Sequence, residues 1–156
     1  MMIYQNMLML AMLFSGSAAS AADAVNLASE VFIEKTVQGE DGRPFTTLDK
    51  PDRVMPGDNL VFVLKYRNTG REAARNFSVT NPLPRAVAFR ETPNGMAQFS
   101  VDSGQNWGVL SQLRIRDNSG RLRSARPDDV THVRWTFRQP LPSGASGKLT
   151  FRGTVR

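Results

Sequence analysis

Alternation of apolar and polar side chains with period two runs through the chain from residue 23 onward. In the segment 60–67, Leu60, Phe62, Leu64 and Tyr66 fall on one face of an extended strand and Val61, Val63, Lys65 and Arg67 on the other. Residues 133–138 and 149–156 alternate in the same way, and shorter runs predict strands at 31–37, 77–80, 86–91, 97–101 and 112–116. No helical period of useful length competes with this pattern. The nine prolines sit mostly in the connections, as an antiparallel sheet fold requires. The expectation is an all-β, immunoglobulin-like antiparallel β-sandwich of about seven to nine strands. Shared parity assigns its core to Val31, Ile33, Leu60, Phe62, Leu64, Tyr66, Phe77, Val79, Val133, Trp135, Phe137, Leu149, Phe151 and Val155. No internal repeat is visible, so a propeller or solenoid built from this chain alone is excluded.

The first 22 residues break the pattern. They contain no Asp, Glu, Lys or Arg, and an apolar run at 7–14 leads into small residues at 15–22. That run is far shorter than the roughly 20 residues a membrane-crossing helix needs. With the Ala19-Ser20-Ala21 site it predicts a secretory signal peptide over 1–22, whose only positive charge is the α-amino group. A single domain over 23–156, with no membrane span, is expected after cleavage. The absence of Cys excludes disulfides, thiolate zinc sites, iron–sulfur clusters and Cys nucleophiles, and one histidine, His132, excludes a His-cluster metal site. No cofactor is therefore expected. An exported chain without disulfides fits a bacterial periplasm or cell surface better than an animal secretory pathway.

The stretch Val54-Met-Pro-Gly-Asp-Asn-Leu-Val-Phe-Val-Leu-Lys-Tyr-Arg-Asn-Thr-Gly70, continued by Ala73-Ala74-Arg-Asn-Phe-Ser-Val-Thr-Asn-Pro-Leu-Pro84, resembles the bacterial conserved-repeat domain, the domain-of-unknown-function-eleven family. The resemblance covers 31 residues closely, and its looser frame covers most of the chain after residue 22. It implies an exported immunoglobulin-like sandwich serving as a spacer or interaction module on bacterial envelopes, and it implies no catalytic residues. Such domains often stand in tandem, whereas this sequence carries one copy. Within the motif, Pro56, Gly57 and Asp58 read as a turn, with Gly57 supplying backbone freedom and Asp58 accepting local N–H bonds. Gly70 is expected to close the next turn in a left-handed conformation.

One further motif stands out. Ser100-Val-Asp-Ser-Gly-Gln-Asn-Trp107 matches the S-x-D-x-G-x-x-W pattern of the Asp-box found in sialidases and other β-propellers. It resembles a hairpin device in which Asp102 bonds the turn backbone, Gly104 permits the turn and Trp107 packs beneath. The alternative is glycan handling, either carbohydrate binding or glycan processing. A hairpin is favoured, since the chain has length for only about one or two propeller blades. His132 lies on an outward parity with no G-x-S-x-G elbow before it. The carboxylate pairs Glu40-Asp41 and Asp128-Asp129 fall in solvated loops, and Asp117-Asn-Ser-Gly120 reads as a turn without a complete calcium set. No catalytic residue and no small-molecule substrate are predicted.

Charge is unevenly spread. Residues 114–156 carry ten Lys+Arg and three Asp+Glu, net +7, against ten and eleven, net −1, over 23–113. Arg134 and Arg138 share the outward parity of one strand, and Lys148 and Arg152 that of the next. If 140–146 joins these strands as a hairpin, the like charges lie across from one another, a mildly unfavourable arrangement that an anion would relieve. Arg134, Arg138, Lys148 and Arg152 are therefore the candidate anion-binding face. An ordinary solvated face is the competing reading, since Arg outnumbers Lys 16 to 4. Nucleic acid is the least favoured ligand, because export removes most opportunity and no aromatics interleave with the cations. The expected role is a non-catalytic envelope module, structural or adhesive, with an envelope protein or an anionic polymer as partner.

Overall fold

The computed structural model describes residues 24–156; the proposed signal peptide lies outside the described residues. Ten strands follow in chain order: β1 Val25–Gln38, β2 Pro44–Asp49, β3 Asn59–Asn68, β4 Ser78–Pro82, β5 Val87–Glu91, β6 Ala97–Ser100, β7 Arg114–Arg116, β8 Leu122–Ser124, β9 His132–Thr136 and β10 Ser146–Val155. Eight of them build two sheets, one in the order β2-β1-β3-β10-β5 and one in the order β4-β9-β6, while β7 and β8 form a separate ribbon. Every pairing is antiparallel. The chain is an all-β antiparallel sandwich. Among the described residues no helix is long and apolar enough to cross a membrane.

The alternation read from the sequence is what closes the two sheets on each other. Leu60, Phe62 and Leu64 of β3 and Leu149 and Phe151 of β10 face Val79, Val133 and Trp135 of the smaller sheet in one buried cluster. Phe62 and Phe151 stack at 4.5 Å between centroids, and Trp135 meets Phe151 from the opposite sheet at 6.3 Å. Phe77 and Phe137 stack at 4.3 Å at one end of the cluster, with Tyr66 edge-on to Phe137 at 4.9 Å. All fourteen residues expected in the core pack there, with Val31, Tyr66 and Phe137 only partly buried at its margin.

Three departures from the sequence reading have physical causes. Strand β1 starts at Val25 rather than Val31, because residues 25–30 pair with β3 although most of them are exposed and the alternation of Val25 and Leu27 is broken at Ser29. Strand β2 is exposed along most of its length and opens on a proline, so although Phe45, Thr46 and Thr47 suit a strand it has no inward stripe to announce it. It pairs only with Ile33–Gln38, whereas β3 ends its pairing with β1 at Glu34, so the β1–β2 hairpin extends as an arm past the end of β3. Finally, residues 140–146 do not form a hairpin. Strand β9 pairs with β4 and β6, and β10 with β3 and β5. Between them the chain crosses from one sheet to the other, held on the way by reciprocal Ala74–Leu141 backbone bonds of 2.9 and 2.8 Å.

Candidate functional site

The Asp-box folds as a closed hairpin turn. Phe99 in β6 exchanges backbone hydrogen bonds with Gly108 (2.9 and 3.1 Å), which brings the two ends of the motif together. The fully buried Ser100 hydroxyl donates to Asp102 Oδ1 at 2.7 Å and accepts the Gly104 N–H at 2.9 Å. Asp102 Oδ1 also accepts the N–H groups of Gln105 (3.1 Å) and Asn106 (2.9 Å), and its Oδ2 accepts the Asn106 amide at 2.6 Å. These donors, the Asn106 backbone and amide foremost, lower the Asp102 pKa to about 2. Ser103 and Gly104 take the positive φ values, 62° and 87°, that turn the chain back. Trp107 then donates its indole N–H to the Gly104 carbonyl at 2.8 Å. Every element of the motif is spent on holding the turn.

The half-buried Trp107 ring meets β9 side chains. The Arg134 guanidinium lies over it at 3.6 Å from the centroid, and the His132 ring approaches at 6.2 Å in an edge arrangement. Arg134 Nε also donates to Thr80 Oγ1 on the neighbouring strand at 3.4 Å. The His132 ring nitrogen Nδ1 bonds the Thr131 hydroxyl at 3.0 Å.

The four candidate cations do not share a face. Arg134 lies between buried Val133 and Trp135 and so points outward from the smaller sheet, and Arg138 follows the end of β9. Lys148 and Arg152 alternate with buried Leu149 and Phe151 and so project from the outer face of the larger sheet. The core separates the two pairs, because β9 and β10 belong to different sheets. Their surroundings differ as well. Arg152 is held between Glu34 at 3.3 Å and Glu91 at 3.4 Å, whereas Lys148 stands directly opposite Lys65 of β3. In the ribbon region, Arg123 grips Asp129 through two bonds of 2.6 and 2.8 Å, and Asp117 accepts from Ser119 and Arg121 within its own turn. Both carboxyls are held below their ordinary pKa, Asp129 chiefly by Arg123 and Asp117 chiefly by the Ser119 hydroxyl.

The turn residues of the first motif lie at opposite ends of β3. Asp58 accepts the Met55 N–H at 2.7 Å, and Gly57, at φ 95°, donates its N–H to Val155 of β10 at 2.8 Å. Pro56 opens this turn. Gly70 does not adopt the left-handed conformation expected of it. Glycine is required there by space: a Cβ would lie 2.7 Å from that of Ala24 and 3.2 Å from Asn68 Oδ1. The residue that organises this end is Asn68, fully buried, whose amide donates to the carbonyls of Glu72 (2.7 Å) and Leu141 (2.9 Å) and whose Oδ1 accepts the Gly70 N–H (2.9 Å). The signal for it was its place at the end of an apolar strand, before a glycine two residues on. No protein-family model, curated protein or solved structure matches the chain.

Proposed function

We propose that the chain is a non-catalytic interaction module of a bacterial envelope, exported by way of residues 1–22, of the conserved-repeat kind and directed at an anionic envelope polymer or an acidic envelope protein. The observation that carries the non-catalytic reading is the state of Asp102. Its carboxylate accepts four hydrogen bonds from its own hairpin and has its pKa lowered to about 2. A glycosidase acid needs a raised pKa and a second carboxyl across a cleft. Here the carboxylate is a turn anchor, and the aromatic beside it is covered by Arg134 rather than presented to a sugar ring. The uncharged apolar start of the sequence and the surplus of cations over residues 114–156 support export and an anionic partner.

Purified protein incubated with a chromogenic glycoside panel is expected to release no product, and a pull-down from envelope extract is expected to return an acidic polymer or protein in a salt-sensitive way. Turnover of any glycoside would defeat this reading in favour of glycan processing. Recovery of the intact protein, Met1 included, from cytosol would defeat its placement outside the cytoplasm.

A further inference from the structure

On the outer face of the larger sheet, β1, β3 and β10 carry two parallel cross-strand rows. Register places Asn26, Arg67 and Ser146 in one row and Ala28, Lys65 and Lys148 in the next. Between them runs a shallow groove of about 810 Å³, lined by these six residues, with the Leu27–Tyr66–Gly147 row, whose side chains belong to the other face, contributing backbone to its floor. Cations therefore stand on both sides of the groove. Adjacent strands lie about 4.8 Å apart and alternate residues on one strand roughly 7 Å apart, so the three charged stems begin within a short span of each other.

The charges in this groove are not balanced as they are elsewhere on the same face. Arg152 has Glu34 and Glu91. Here the only ion pair among the described residues is Lys65 with Glu30 at 2.6 Å. Lys50 also lies near enough to Glu30 to act on its carboxyl, so that one glutamate is shared between Lys65 and Lys50, and neither Lys148 nor Arg67 has an ion pair among the described residues. Lys65 and Lys148 occupy directly opposed positions in adjacent strands, an arrangement that weakens a sheet. A bound anion would reverse the sign of that term.

From this juxtaposition we infer that the groove across β1, β3 and β10 is the binding site for a linear acidic polysaccharide, with Arg67 on one wall and Lys65 and Lys148 on the other contacting successive acidic groups. The inference rests on the anionic-partner reading above and gives it a location. The groove's form selects the partner class. It is open, it crosses the strands, and the only aliphatic side chain on its walls is Ala28. A surface that docks on a bilayer needs apolar side chains to insert, and these walls offer none of sufficient size. Asn26 and Ser146 add neutral hydrogen-bonding groups suited to sugar hydroxyls.

The test compares wild type, the double variant Arg67→Glu with Lys148→Glu, and the charge-matched single variants Lys148→Glu and Arg116→Glu, the last on the β7–β8 ribbon. Each is measured for retention on heparin-agarose, binding to polygalacturonate and binding to phosphatidylglycerol vesicles over a salt series. The expected result is a loss of about tenfold or more in polysaccharide affinity for Lys148→Glu, a larger loss for the double variant, and a change within about twofold for Arg116→Glu. Wild-type binding should fade as salt shortens the Debye length below about 8 Å. Folding is controlled internally, because Lys148→Glu places a carboxylate opposite Lys65 and should hold or raise the Tm while binding falls. Binding that survives the groove substitutions, or falls equally with Arg116→Glu, overturns the groove and leaves the anionic-partner reading standing. Preference for vesicles over both polysaccharides overturns the polysaccharide. Wild-type protein that binds no polyanion overturns both.

Discussion

The guanidinium carbon of Arg134 rests 3.6 Å from the centre of the Trp107 ring, so a cation in the middle strand of the smaller sheet caps the aromatic of the neighbouring hairpin. The indole cannot swing away, because its N–H is bonded to the Gly104 carbonyl. Arginine suits the position for its planar shape as well as its charge. At a half-exposed site such a stack contributes about 0.5–1 kcal/mol. Arg134→Gln should lower the unfolding free energy by about that amount, and Arg134→Lys should recover only part of it. Urea unfolding of the three proteins measures both steps; a lysine variant equal to wild type would mean that charge alone matters here.

Asp102 gives the hairpin a defined response to acid. Its folded pKa is about 2 against an ordinary 3.8, so the carboxylate form stabilises the fold fully above pH 4. That contribution is lost progressively as pH falls from about 4 toward 2. Asp102→Asn should therefore lower the Tm at neutral pH, with the gap to wild type closing below pH 4 as the native carboxyl protonates. Asp117 and Asp129 also have lowered pKa values, so wild type and variant should share a residual acid sensitivity. A gap that stays constant from pH 7 to pH 2 would remove the carboxylate from this account.

Trp135 combines a large buried ring with a cost. It is 3 % exposed, and its indole N–H has no hydrogen-bond partner. Trp135→Ala should cost about 3–5 kcal/mol through the cavity it leaves against Phe151. Trp135→Phe loses less volume and also removes a buried, unsatisfied donor worth about 1–3 kcal/mol, so the phenylalanine variant should lie within about 1.5 kcal/mol of wild type. Denaturant midpoints at a shared m-value check this ranking, and a phenylalanine variant as unstable as the alanine one would contradict it.

The parts of this fold that could be read in the sequence are those fixed by side-chain parity. Leu60, Phe62, Leu64, Val133, Trp135 and Phe151 announce an inward face by spacing alone, and all six are buried. Pairing partners are a different matter, because an alternating strand fits equally well beside any neighbour. The short separation between β9 and β10 favoured a hairpin, yet the two lie in opposite sheets, which scattered the four candidate cations. Strand β2 was invisible because pairing with β1 rather than burial creates it. The Asp-box was legible almost atom by atom, since its bonds are all local. The opposition of Lys65 and Lys148 was not, because it depends on a register between residues 83 positions apart.

Asn68 shows what a single buried amide holds together. Its side chain ties residue 68 to the carbonyls of Glu72 and Leu141 and to the Gly70 N–H, while its own backbone bonds Gly144 and Ala145. One end of β3 is thereby fastened to the connection that carries the chain from β9 into β10. Asn68→Ala removes all three side-chain bonds and leaves two carbonyls without their donor, which should cost about 2 kcal/mol or more. Asn68→Asp is the sharper experiment. It preserves shape and the acceptor for Gly70 but points a carboxylate at two carbonyl oxygens, so the charged form is strongly disfavoured in the fold and the introduced group titrates above its unfolded value. The sign of the linkage follows: the penalty is smallest below the unfolded pKa, where the group is protonated in both states and can donate one bond, and it grows as pH rises toward the folded value. The aspartate variant should thus be least stable at neutral pH and regain Tm on mild acidification, where the alanine variant does not. Parallel pH profiles for the two variants would show that the amide hydrogens of Asn68 do not hold this crossing.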